Sequence, residues 1–325
     1  MINLRRILNV LNSSRYLWPV KIAVTVFVIY LVNQNLSKNQ IPDLVNKVSW
    51  PHMALAVFLG ILGLFFQARR WLIILRCKGI VVNNTTAFRT MLFGNLLAFI
   101  TPGRAGEFFR GVGLPVHNKT DTVYAVLVDK LFAGGTGLVF GIAGLVLSVQ
   151  TATLSAGSRT ILVCSGALLL VLGTGALFFR KYPAVLSAIR LSPRFTRRTL
   201  GSVLLLSISA QLVLCIQTAV ILDMFGSHAF VINMCASAQA YAFMQFLPFF
   251  IANMGIREYS FGLFLGEYHP KPVHDLTLGA VAFGASMGIL FINMVLPALA
   301  GLFWWLGAKR RMKEKDEGGR RKDEN

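Results

Sequence analysis

Two short polar stretches interrupt an otherwise apolar chain, and both carry residues able to bind an anion. The first reads Pro102-Gly103-Arg104-Ala105-Gly106-Glu107-Phe108-Phe109-Arg110; the second runs from Pro248 to Gly255-Ile256-Arg257-Glu258. Arg104, Arg110 and Arg257 offer planar, bidentate donor sets that suit a phosphate. Backbone amides exposed at a broken helix start would add a second anion-binding element. Glu107 and Glu258 are suited to holding those arginines or to coupling with protons. No DxD pair, metal cluster or activated nucleophile accompanies them, so no residue is assigned a catalytic role. Asp129 and Lys130 stand just inside the next apolar run. As neighbours on a helix they point about 100° apart and need not pair with each other, but either can meet Arg104, Arg110 or Glu107. A buried ion pair that fixes helix positions and a ligand or proton role both remain open for them.

These residues must be positioned by membrane helices. Of the 325 residues, 55% are hydrophobic and 14% charged, and several runs approach the roughly 20 residues that cross about 30 Å of hydrocarbon as helix. The formal charge of +19 does not indicate nucleic acid, because the basic residues cluster beside apolar segments as the positive-inside bias requires. Lys and Arg number three in residues 1–17, five in 69–89, six in 180–198 and eight in 309–325. Residues 38–50 hold two, and 150–160 and 267–276 one each. Placing the basic stretches on one face requires residues 86–110 to enter and leave from the cytoplasmic side, and 230–266 to do so from the outer side. The expectation is an all-α polytopic membrane protein with six full spans, at 18–37, 51–75, 122–149, 161–179, 201–225 and 277–306. Two oppositely oriented, broken re-entrant hairpins complete an inverted repeat. Pro102, Gly103 and Gly106 break the first hairpin; Pro248 and Gly255 break the second. Non-helical backbone at that depth is tolerated only where protein or a water-filled cavity satisfies it, so the breaks imply a protected interior.

The remaining features have structural readings. Arg5, Arg6 and Arg15 precede an apolar run without a small-x-small cleavage pattern, so residues 18–37 read as a retained helix. Cys77, Cys164, Cys215 and Cys235 stand singly, as buried thiols. The five histidines form no metal-binding pattern. Gly134, Gly135, Gly137, Gly141 and Gly144 permit close helix approach, and Gln211 and Gln217 suit interhelical hydrogen bonds. Asp223, Trp50, Trp304 and Trp305 read as interfacial. Residues 1–308 form one integral membrane domain, and 309–325 a basic, disordered cytoplasmic tail.

The chain resembles the integral-membrane part of the lysylphosphatidylglycerol synthases, the flippase-like or UPF0104 family. The likeness rests on Gln67-Ala68-Arg69-Arg70-Trp71 through Leu75-Arg76, on the stretch from Pro102 to Arg110, and on Pro248 to Glu258. Val128-Asp129-Lys130-Leu131 resembles the family's Glu-Arg-containing helix with shifted chemistry. The resemblance covers most of residues 10–308. It implies translocation or handling of an anionic, phosphate-bearing membrane lipid, either a glycerophospholipid or a polyprenyl-phosphate lipid. It places the headgroup site on Arg104, Glu107, Arg110, Asp129, Lys130, Arg257 and Glu258, with no cofactor. A membrane-embedded transferase using a lipid carrier and a scaffold for envelope-lipid synthesis are the alternatives. Full synthases continue into a soluble domain that transfers lysine, whereas 17 residues follow the last apolar run here. Lysyl transfer would then fall to a separate lipid-modifying enzyme. The expected location is the inner (plasma) membrane, with both termini cytoplasmic.

Overall fold

A computed structural model describes residues 40–101, 104–111, 114, 119–149, 196–245, 253, 255–268 and 277–307. The fold is an all-α, polytopic membrane fold, with no strand among the described residues. The helices are α1 (Gln40–Asn46), α2 (Trp50–Cys77), α3 (Asn84–Ile100), α4 (Lys119–Val149), α5 (Arg197–Met224), α6 (Phe230–Met244), α7 (Ile256–Tyr268) and α8 (Leu278–Gly307). A 3-10 turn, Ala105–Gly111, follows α3. Four helices are long and apolar enough to cross a membrane: α2, α4 from Asp121 to Leu147, α5 and α8. They coincide with four of the six expected spans. The other two, 18–37 and 161–179, lie outside the described residues, as do the tail and the helix breakers Pro102, Gly103 and Pro248.

Local chemistry sets the helix ends. Pro51 occupies the first turn of α2, where its missing N–H costs nothing. The side chains of Asn83, Thr196 and Thr277 accept hydrogen bonds from the first-turn amides of α3, α5 and α8. Both α2 and α5 end in the same turn. Gly79 (φ 81°) and Gly226 (φ 98°) take the left-handed conformation that glycine tolerates. The amides of Ile80 and Ser227 then reach back to the carbonyls of Leu75 and Leu222, at 2.9 and 3.1 Å.

Within a bilayer, lipid tails are as apolar as leucine, so helices associate through close packing and polar contacts rather than by escape from water. Both devices are present. Along α4, a Cβ at Gly141 would lie 2.3 Å from the Ala242 Cβ, and one at Gly144 would lie 2.9 Å from the Cys235 carbonyl. That glycine seam lets α6 lie against α4. Gly135 faces open space and takes no part in it. Between α2 and α5, the Gln217 amide donates to the Ala56 carbonyl at 2.8 Å and exchanges hydrogen bonds with Asn293 of α8, at 3.2 and 2.8 Å. Two apolar cores flank this centre. One gathers Trp71, Leu75, Met91 and Ala125 from α2, α3 and α4; the other gathers Ile221, Phe261, Phe264 and Val281 from α5, α7 and α8. Large apolar side chains such as Phe58, Ile61, Val139 and Leu205 are exposed on the outer faces of the long helices, as a lipid solvent requires.

Helix α8 carries a π turn at Phe291–Val295, in which the Leu296 amide reaches the Phe291 carbonyl. Pro297 explains it. Proline has no N–H for the Asn293 carbonyl, and its ring would crowd that carbonyl in a regular helix. Inserting one residue into the turn relieves both problems and turns Asn293 toward α5.

Candidate functional site

The first polar stretch folds back on α3 because two small groups permit it. Thr101 Oγ1 donates to the Leu97 carbonyl at 2.7 Å and accepts from the Gly106 amide at 2.6 Å. A Cβ at Gly106 would fall 2.2 Å from the Leu97 carbonyl carbon, so only glycine fits. Arg104 stands at φ 57°, an uncommon conformation for a non-glycine residue.

Around this turn, charged side chains form a continuous chain, in which Arg70, Glu107, Arg110 and Asp129 are buried and Arg104 and Lys130 partly exposed. Glu107 is fully buried. One carboxylate oxygen faces Arg104 Nε at 2.6 Å, as a close ion pair without hydrogen-bond alignment. Its other oxygen pairs with both Arg110 and Lys130. Arg110 also donates to Asp129 Oδ2 at 3.0 Å, while Arg70 donates from Nε to Asp129 Oδ1 at 2.7 Å and from Nη1 to Ser207 Oγ at 3.1 Å. The Arg110 stem passes over Gly94, where a Cβ would sit 2.1 Å from its Cγ, and its guanidinium lies 5.9 Å from the Trp71 ring centre. One network thus ties the 3-10 turn to α2, α4 and α5. Four cations share two carboxylates in it.

The second stretch is built differently. Asn253 (φ 57°) and Gly255 (φ 85°) are both left-handed, and asparagine and glycine are the residues that adopt this conformation most readily. The Gly255 amide donates to Glu258 Oε2. Glu258 Oε1 accepts from Ser286 Oγ at 2.5 Å, and Ser286 Oγ accepts from Arg257 Nε at 2.6 Å. Arg257 Nη2 lies 3.6 Å from Glu258 Oε1, buried and without a hydrogen bond.

The two motifs meet at a cavity of about 160 Å³ between α2, α5 and α8. Arg104 and Arg257 both line it, together with Gln67, Asn95, Tyr241 and the Gln217–Asn293 pair. Asn95 Oδ1 is buried there without a hydrogen bond. The sequence-derived candidates therefore divide into two groups. Arg104 and Arg257 reach the cavity, whereas Glu107, Arg110, Asp129, Lys130 and Glu258 stand behind them. Of the expected helix breakers among the described residues, Gly106 provides close approach and Gly255 a left-handed turn. Sequence reasoning passed over Arg70, Ser207, Ser286, Asn95, Gln67 and Asn293 as site residues. Arg70 had a usable signal, an arginine inside the apolar run 51–75, but it was counted with the cytoplasmic charges beside Arg69.

The model of a family described as the lysylphosphatidylglycerol synthase TM region matches residues 18–273. The chain belongs to that family. Neither the curated proteins nor the solved structures yield a match. Both motif networks originate within the family match. Ser286 and Asn293 lie beyond it, yet α8 supplies them to the second network and the cavity wall.

Proposed function

We propose that this member of the lysylphosphatidylglycerol synthase TM-region family translocates an anionic, phosphate-bearing membrane lipid across the inner (plasma) membrane. Its substrate is a glycerophospholipid or a polyprenyl-phosphate lipid. The polar head passes through the cavity while the acyl chains remain in the bilayer. The convergence of Arg104 and Arg257 on one cavity carries this reading. A buried guanidinium N–H without a hydrogen bond is costly, and Arg257 Nη2 is such a group, with Glu258 Oε1 at 3.6 Å as its ion-pair partner. The networks behind the cavity hold the two arginines in place, with Glu107 and Glu258 as their anchors rather than as acids or bases.

The proposed topology is two oppositely oriented units, α2 to α4 and α5 to α8, each containing a re-entrant hairpin, with both termini cytoplasmic. The order of elements supports it, since each unit begins with a 28-residue helix and continues with a helix of 17 or 15 residues. The matching turns at Gly79 and Gly226 support it too.

Reconstitution tests the function. Wild type, Arg104→Ala and Glu258→Gln are compared for lipid translocation in vesicles of varied headgroup composition. Each variant should fall about tenfold or more, the effect of losing about 1.4 kcal/mol of binding to the passing head. Equal rates for all three proteins and for empty vesicles would remove the assignment for the lipids tested.

A further inference from the structure

We infer that the Gln217–Asn293 contact between α5 and α8 is the outer gate of the cavity, the neutral counterpart of an ionic closure that Arg70 and Asp129 make on the inner half. This rests on the lipid-translocation reading above and adds its moving part.

The two closures are related by the repeat. Helices α2 and α5 are each 28 residues long. Each is preceded by a hydroxyl residue, Ser49 or Thr196, and followed by a left-handed glycine, Gly79 or Gly226. One constant shift in numbering therefore carries α2 onto α5, with Arg70 falling on Gln217, Gly60 on Ser207 and Ala56 on Val203. The contacts obey the same shift. Arg70 donates to Ser207 Oγ at 3.1 Å, and that hydroxyl donates to the Val203 carbonyl at 2.8 Å. Gln217 reaches the other way and donates directly to the Ala56 carbonyl at 2.8 Å, because Gly60 has no side chain to intervene; a Cβ there would lie 2.9 Å from Gln217 Nε2. Each then turns to the long helix that completes its own unit, Arg70 to Asp129 of α4 and Gln217 to Asn293 of α8. The arrangement is kept while the charge is not.

Charge decides which closure yields. Parting Arg70 from Asp129 strands two buried ions, whereas parted carboxamides are uncharged and exchange their hydrogen bonds for water or a passing headgroup. Gln217 and Asn293 line the cavity and Arg70 and Asp129 do not, so the neutral pair is the one a ligand meets. The backbone beneath it is built to move. Asn293 lies in the π turn Phe291–Val295, which holds one residue more than a regular turn; releasing it to α-helix rotates the segment by about 100°. In the proposed topology α2 ends on the cytoplasmic side and α5 on the outer side. Arg70 therefore closes the inner half, and Gln217, at the same station on α5, the outer half.

Adding the missing charges tests the gate. Gln217→Arg with Asn293→Asp builds an ionic latch there, and the full chain carrying both is compared with wild type in phosphatidylcholine vesicles doped with phosphatidylglycerol. Translocation should slow by about tenfold or more, the margin of a charged over a neutral hydrogen bond. Gly63→Cys supplies a second readout. Gly63 is a buried, cavity-lining site where a Cβ would meet Val213 Cγ1 at an ordinary 3.7 Å. With the native cysteines replaced by alanine, its reaction with an anionic thiosulfonate added from outside should slow by about the same factor when the latch is present. Either rate left unchanged, in a latched variant with the wild-type elution profile, would overturn the gate. If wild type itself carries no phosphatidylglycerol, the translocation reading falls for that lipid and labelling alone decides the gate: slowed labelling upholds it and equal labelling removes it. A reversible staple covers a latch that does not fold. A Cβ at Gly60 would lie 2.6 Å from Ile292 Cγ2, within reach of a disulfide between cysteines at the two sites. In the alanine background, Gly60→Cys with Ile292→Cys should block Gly63→Cys labelling and translocation when oxidised and restore both on reduction. Equal rates in the two redox states, with the disulfide formed, would sink the inference.

Discussion

Asp129 is the residue whose removal best tests the charge network. It is buried, and its two oxygens are held by Arg70 Nε at 2.7 Å and Arg110 Nη1 at 3.0 Å. With an effective dielectric of about 20, each contact represents about 5–6 kcal/mol of gross attraction. Desolvation of the three groups offsets most of that, so the net worth of the arrangement is small. Breaking it is another matter, because the buried Arg70 then loses its carboxylate partner and Arg110 one of its two, at a cost of about 3–5 kcal/mol. In Asp129→Asn the retained carbonyl oxygen serves one arginine, while the new NH2 group faces the other as donor against donor. Glu107, already shared by Arg104, Arg110 and Lys130, would then be the remaining carboxylate of the network. Arg70→Met removes a cation, so the double variant should be less unstable than the sum of the singles, by about 1–3 kcal/mol. The assay is unfolding in detergent micelles, followed by tryptophan fluorescence, on wild type, both singles and the double. Additive losses, or single losses below about 0.5 kcal/mol, would refute the network as a source of stability.

Three further outcomes follow from other parts of the fold. Gly141→Val drives a side chain into Ala242 and should destabilise by about 1–3 kcal/mol, whereas Gly135→Ala, which meets nothing within 4 Å, should leave stability unchanged or raise it by up to about 1 kcal/mol; the same unfolding measurement separates them. Pro297→Ala restores the missing N–H and should convert the π turn of α8 to regular helix. Amide exchange at residues 291–297 should slow, and lipid translocation should fall as Asn293 turns from Gln217. A single cysteine introduced between residues 180 and 198 should react with an impermeant reagent only from the cytoplasmic side. Labelling from outside would break the two-hairpin topology.

Legibility varied with the range of the interaction. The four long helices could be read because span length and apolar composition are local properties, and each was placed within a few residues of its observed ends. The two polar stretches stood out for the same reason, since arginine and glutamate amid apolar sequence are costly wherever they lie. Adjacent arginines were less transparent. Arg69 is exposed and lies over the Phe65 ring at 5.3 Å, while Arg70 is buried against Asp129. Charge counting treats them alike, yet one residue of helical rotation sends them to opposite environments.

Sequence by itself determined that this is a helical membrane protein, that two polar breaks concentrate arginine and glutamate amid apolar sequence, and that its apolar segments beyond Asp43 hold few carboxylates. Those conclusions follow from residue type and from spacing within one helix. Only the tertiary structure decided which of the charged residues line a cavity. Arg104 and Arg257 reach one cavity because α2, α5 and α8 leave a gap between them. Asp129 is spent behind it on Arg70 of α2 and Arg110 of the 3-10 turn, and Glu107 on Lys130 of α4 as well as on its neighbours Arg104 and Arg110. The pairings made by Asp129 and Lys130 depend on where separate elements meet, and no local pattern of residues encodes that.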